Sequence, residues 1–210
     1  MRTLPTLLIL ISLTVSGQEL TPLDSLYAGD SLGLGMQIIL KPIQWWQHFS
    51  YSQPALNCQF ESSCSNFMVE ALQQKGLISG LIVGTDRIVR CNPAARHYHL
   101  QQPHSQINYD GRLLDPVDWT AVEKPGKSPG LAVALSIVPG LGRTYAGHPM
   151  DGFFSLLLVG GFAFNTYNQS LAENPIRTGL NAGFMTLFWV ADIYGAYRTA
   201  KMAPSDNSTP

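Results

Sequence analysis

Two long apolar stretches near the C-terminus constrain this chain more than any other feature. Residues 152–167 carry no charged side chain, and residues 178–197 have only Asn181 and Asp192 as strongly polar members. Each approaches the roughly 20 residues that a helix needs to cross a bilayer. Between them, residues 168–177 are polar and contain Asn174-Pro175, a pair that interrupts a helix. The pattern predicts a transmembrane helical hairpin; a buried hairpin of a soluble protein is the alternative. Gly179 and Gly183 lie four apart and are expected to let a neighbouring helix approach closely.

The rest of the chain divides around that hairpin. Residues 1–17 begin with Met1-Arg2, continue as an apolar run and end at Ser16-Gly17. This order fits a secretory signal peptide or a short anchor. Residues 18–33 read as a linker, 34–122 as a small cysteine-containing helical domain and 123–130 as a second linker. Residues 131–203 form the membrane helical domain, and 204–210 read as a disordered tail. The fold class expected is mainly α. Charged residues make up 13 % of the chain and the net charge is −1. That balance argues against nucleic acid as a partner, because phosphate binding needs a clear basic excess.

Within the first domain, Gln37, Lys41, Gln44 and His48 recur at helical spacing, with Met36, Ile39, Leu40, Ile43 and Trp46 opposite. This predicts an amphipathic helix, kinked or begun at Pro42. Trp45 and Trp46 are candidates for the membrane interface, where indole rings are favoured. An ordinary helix on a soluble core fits equally well. Ser65 is the expected N-cap of a second helix, with Phe67, Met68, Ala71 and Leu72 as its apolar face and Gly76 as its end. A third helix is expected from residue 77 to about 90, stopped by Asn92-Pro93. Gly76, Gly80 and Gly84 would leave it a smooth groove. Arg87 and Arg90 either offset the dipole of its last turn or meet lipid headgroups or an acidic partner.

Three ordered blocks resemble the YidD family. The first runs Cys58-Gln59-Phe60-Glu61-Ser62-Ser63-Cys64-Ser65 and leads to Ala71-Leu72. The second is Arg87-Ile88-Val89-Arg90-Cys91-Asn92-Pro93, and the third Leu114-Asp115-Pro116-Val117-Asp118. The resemblance makes Cys58, Phe60, Cys64, Ser65, Ala71, Arg87, Arg90, Cys91, Asn92, Pro93, Asp115, Pro116 and Val117 signature or structural residues. The chain departs from the family at Gln59, Ser62, Leu114 and Asp118, and residues 97–111 read as an insertion. The resemblance implies a non-catalytic accessory factor for insertion of integral membrane proteins. It places that factor at the inner (plasma) membrane, against the lipid bilayer and beside the Sec translocon and the YidC insertase. Farther on, residues 136–147 resemble the Pro-Gly-Leu-Gly element of small two-helix membrane domains, with Tyr145 expected at headgroup level.

No catalytic constellation is present: the sequence lacks Gly-x-Ser-x-Gly, His-Glu-x-x-His and any phosphate-cradling glycine loop. No catalytic residue, cofactor or metal ligand is therefore assigned. The three cysteines leave two arrangements open. Cys58 and Cys64 could bridge with Cys91 free, or all three could cluster as buried thiols. A zinc site completed by His97, His99 or His104 is the weaker reading, because the spacing lacks a paired knuckle. Asp110, Asp115 and Asp118 are explained by a turn. Asp192, close to Arg198, is expected at the membrane interface. The alternative function is an envelope protein that keeps the fold as a scaffold or as a thiol or metal site. Topology signals conflict. Lys124, Lys127, Arg143, Arg198 and Lys201 flank the hairpin and place the cysteine block inside, whereas a cleaved signal places it outside.

Overall fold

The computed structural model describes residues 33–51, 58–102, 105–121 and 125–203. The expected signal or anchor segment, almost all of the first linker, His104 and the tail lie outside the described residues. The chain forms eight helices among the described residues: α1 (Leu34–Tyr51), α2 (Cys64–Lys75), α3 (Leu77–Arg90), α4 (Ala95–Leu100), α5 (Pro129–Leu135), α6 (Leu141–Tyr145), α7 (Pro149–Leu171) and α8 (Pro175–Met202). Two short antiparallel strands, β1 (Gln106–Ile107) and β2 (Leu113–Leu114), pair Gln106 with Leu114 and Ile107 with Leu113. The fold is mainly helical, as the periodicity predicts.

Helix α1 buries Leu40 against Met68, Val69 and Leu72 of α2, with Met36, Ile39 and Ile43 packed around them. It runs through Pro42 without ending there. The aromatic end turns the other way: Trp45, Trp46 and Phe49 are exposed, and the Trp45 and Phe49 rings stack at 6.2 Å. Trp46 therefore leaves the packed face on which the spacing placed it. Gln47 is fully buried instead, and its amide donates to Asn66 Oδ1 at 2.8 Å.

Helix α2 starts two residues earlier than a Ser65 cap implies. Ser63, not Ser65, is the N-cap, and its hydroxyl accepts the Asn66 N–H at 3.3 Å. Gly76 separates α2 from α3 with φ +76°, a conformation that side chains other than glycine rarely adopt. The two helices then pack closely. A Cβ at Gly80 would lie 2.5 Å from the Leu72 Cα, and one at Gly84 would strike the Met68 side chain. Phe67, Ala71, Val83 and Val117 form a second cluster, which Tyr194 of α8 covers.

The hairpin forms where the apolar runs predict it. Asn174 caps α8 by accepting the Arg177 N–H at 3.1 Å, and Pro175 occupies the first helical turn. Its base packs on the body, where Ala132, Ala146, Ala196 and Ala200 form a core of small side chains. Its outer half stands clear of the other described residues. Buried positions of α7 end at Val159 and those of α8 resume at Ala191; none of residues 160–190 is buried. Phe162 stacks between Phe184 and Phe188 at 5.4 and 5.5 Å, which zips the two helices together.

Two expectations need correction. Among the described residues, a Cβ at Gly179 or Gly183 meets nothing within 4 Å, so neither glycine mediates a close helix contact there. The transmembrane reading of the hairpin is also without support: among the described residues, no helix is long and apolar enough to cross a membrane. Overall length is not what is missing, since 23 residues of α7 extend about 35 Å at about 1.5 Å per residue. The apolar part is shorter. Residues 152–167 cover about 24 Å, less than the roughly 30 Å of a hydrocarbon core. Asn168 and Gln169 beyond them, and Asn181 and Asp192 on α8, interrupt the apolar character.

Candidate functional site

Three features carry chemistry: a thiol cluster, a buried network of charges and the uncovered outer half of the hairpin.

The thiols come from three places in the chain. Cys58 precedes a short backbone bridge in which Leu113 N–H donates to the Gln59 carbonyl and Glu61 N–H to the Leu113 carbonyl, both at 3.0 Å. Cys64 opens α2, and Cys91 caps α3, its N–H reaching the Arg87 and Ile88 carbonyls. Their sulfurs all lie within 4.8 Å of one another, and no disulfide joins them. Each cysteine is half-buried, and Phe60, Ala95 and Leu113 pack beside Cys58 and Cys91. Of the two arrangements open in the sequence, the three-thiol cluster is the one formed. Hydrogen bonding from Cys64, and then from Cys91, pulls the Cys58 thiol far below its ordinary value, while the same contact pushes Cys64 up. His97 and His99 stay outside the cluster: His97 pairs with Gln101 and His99 with the Gln106 carbonyl.

The charges that the sequence placed at the surface are inside. Arg87 is fully buried, with its guanidinium 3.8 Å from the centre of the Phe60 ring and 4.4 Å from that of Phe67. It pairs with Asp115 at 3.0 Å and donates to the Ser62 carbonyl at 3.1 Å. Arg90 bridges Asp86 at 2.8 Å and Asp115 at 2.7 Å. Arg198 reaches Asp115 from α8 at 3.1 Å. Arg143 joins Asp86 at 2.6 Å to Asp192 at 2.8 Å, and the Gly140 N–H donates to the other Asp192 oxygen. Neither a lipid headgroup nor an external acidic partner is needed to explain Arg87 and Arg90. Asp192 likewise sits at the hairpin base, fully buried, and not at a membrane interface.

Burial alone would raise the Asp115 carboxyl. Arg90, Arg198 and Arg87 outweigh it and hold the group well below the usual carboxylate range. Asp86 follows the same logic, with Arg90 and Arg143 as its main cations. Ion pairs of this kind are costly to break, because removal of one partner strands the other away from water.

The remaining signature residues support these two sites. Asn92 donates to the Val89 carbonyl and to Asp151 of α7 at 2.6 Å, and Asp151 also meets His148. Pro93 and Pro116 are exposed, whereas Ala71 and Val117 are buried in the α2–α3 core. Ser65 shares a hydrogen bond with the capping Ser63 at 3.1 Å. Asp110 pairs with Arg112 in its turn, and Asp118 with Lys75. Tyr145, expected at headgroup level, has its hydroxyl accepting the Ser128 N–H at 3.1 Å. Sequence reasoning missed the pairing partners. The only local signal was Asp86 four residues before Arg90, an arrangement that favours an ion pair on a helix.

A family model for YidD, described as "Putative membrane protein insertion efficiency factor", matches residues 36–100. Proteins of the same name align over this region. One from Thermotoga neapolitana is 33% identical over 60 residues, covering 29% of this chain and 76% of its own length. One from Marinobacter nauticus is 30% identical over 87 residues, covering 40% and 90%. One from Limosilactobacillus reuteri is 40% identical over 62 residues, covering 29% and 78%. The chain belongs to the YidD family. No solved structure matches it.

The YidD match takes in α1 to α4, all three cysteines, Asp86, Arg87 and Arg90. Asp115, Arg143, Asp192 and Arg198 lie beyond it. The charge network thus fastens the YidD region to the C-terminal helices: Asp86 takes Arg143, and Asp115 links Arg87 and Arg90 to Arg198. The hairpin is held by buried ion pairs at its base, and among the described residues nothing outside the hairpin buries its outer half.

Proposed function

We propose that this protein is a non-catalytic accessory factor that raises the efficiency with which integral membrane proteins insert. It works at the inner membrane, with the lipid bilayer, the Sec translocon and the YidC insertase as its partners. Family membership supports the insertion role. The observation that carries the membrane part is the uncovered hairpin. Phe153, Leu156, Leu157, Phe164 and Leu171 of α7 and Ile176, Leu180 and Phe184 of α8 are all exposed. Between residues 160 and 190 the only charges are Glu173 and Arg177, both at the turn. Water is a poor solvent for such a surface, and contiguous apolar area beyond a few hundred Å² marks contact with another apolar body. Lipid, or an apolar segment awaiting insertion, meets that need.

The exposed Trp45, Trp46 and Phe49 edge of α1 adds an interfacial anchor of the kind favoured at headgroup level. In this reading the charge network keeps the hairpin at a fixed angle to the YidD region, so that both surfaces address one bilayer. The hairpin need not span: its apolar faces enter the hydrocarbon while its base stays in protein.

Deleting the gene and following the insertion rate of a multispanning reporter tests the reading. Slower insertion, restored by the intact gene, is the expected result. An unchanged rate contradicts it.

A further inference from the structure

The three cysteines are drawn together from positions 58, 64 and 91, and no step of the insertion role uses them. We infer that Cys58, Cys64 and Cys91 form a zinc site with three thiolate ligands. The site follows from the thiol geometry and is independent of the insertion role. Sulfurs within 4.8 Å of one another fit a single small ion. Tetrahedral zinc with Zn–S bonds of about 2.3 Å separates its sulfurs by about 3.8 Å. Small side-chain rotations therefore close the site. A soft thiolate set selects zinc over magnesium or calcium, which take oxygen.

The backbone around the thiols is already fixed. The Phe60–Leu113 bridge holds the segment that carries Cys58. The Ser63 cap sets the start of α2 at Cys64. Residues 87 and 88 hold the Cys91 amide at the end of α3. Charge balance fits as well. Three thiolates and one Zn²⁺ carry a net −1, and Arg87 grips the Ser62 carbonyl midway along the Cys58–Cys64 loop. Gln59 supplies an outer contact, its amide donating to Cys91 Sγ at 3.9 Å and to the Asn92 carbonyl at 3.0 Å. Half-burial of the three cysteines leaves the fourth zinc position to water.

The full chain, purified in detergent with a phosphine reductant, is loaded with zinc sulfate and desalted. Metal content and iodoacetamide labelling are then measured. Expected are about one zinc per chain and all three thiols protected until a chelator removes the metal. Cobalt in place of zinc should give intense thiolate charge-transfer absorption. Gln59→Leu should weaken zinc about 10- to 100-fold, the effect typical of outer contacts to a ligand, with helical content unchanged. Less than about one zinc per ten chains, with thiols that label equally fast with and without zinc, overturns the assignment. So does a reduced chain that binds no zinc but forms a Cys58–Cys64 disulfide on exposure to air.

Discussion

The Arg143 guanidinium donates to the Asp86 carboxylate at 2.6 Å, and neither side chain is exposed. Fifty-seven residues separate them in the chain. One lies in the YidD region and the other just before the hairpin, so this contact joins the two parts in the interior. Replacing Arg143 with Met leaves Asp86 with Arg90 alone and Asp192 with only the Gly140 N–H. The expected cost is about 3–5 kcal/mol, the range for a buried charge stripped of a partner. Thermal unfolding in detergent checks it. Loss of less than about 1 kcal/mol would place the pair in the class of surface ion pairs.

Acid should act on the same network. The folded carboxyls of Asp86 and Asp115 are held below their ordinary value. A depressed carboxylate stabilises the fold fully above its unfolded value, near 3.9, and loses that contribution as pH falls toward the folded one. The denaturant midpoint should therefore drop steeply below about pH 4. A midpoint level from pH 5 down to 2 contradicts the assignment.

Glycine substitutions separate the packed helix pair from the exposed finger. Gly80→Ala drives a methyl into the Leu72 backbone and should destabilise by about 1–3 kcal/mol, as overpacking does. Gly179→Ala meets open space and should be neutral, or stabilising by up to about 1 kcal/mol through helix propensity. Equal effects at the two sites would contradict the packing described.

The helix caps give a finer test. Ser63→Ala removes the acceptor for the Asn66 N–H and should cost about 1 kcal/mol, whereas Ser65→Ala should cost less. Reversal of that order in thermal unfolding would restore Ser65 as the cap.

Local features were legible in the sequence and long-range ones were not. The end of α2 at Gly76 and the limits of α3 follow from glycine and Asn-Pro punctuation, and the hairpin from its two apolar runs. Ser63 and Ser65 compete for the cap on equal chemical terms; the helix begins at Cys64, and that selects Ser63. The exposure of Trp46 and burial of Gln47 depend on Asn66 of α2, which periodicity along α1 does not contain. Arg87, Arg143 and Asp192 each look like surface or interfacial charges when read alone. Their burial depends on partners 28, 57 and 49 residues away. The apolar runs suggested a span because their lengths approach that of a crossing helix, but residues 152–167 cover only about 24 Å and Asn181 and Asp192 interrupt the second run. The cysteine cluster was one of two open arrangements, and only folding of the 58–64 loop onto the end of α3 distinguishes them.

The exposed finger is proposed to serve membrane-protein insertion. Cells lacking the gene, carrying a multispanning insertion reporter, are complemented with the intact gene or with a Leu156→Gln, Leu157→Gln, Phe164→Gln, Leu180→Gln variant. All four side chains are at least half exposed, so the fold should keep its thermal midpoint. The account predicts that the intact gene restores the insertion rate while the folded variant neither restores it nor sediments with membranes. Full restoration by the variant would contradict it.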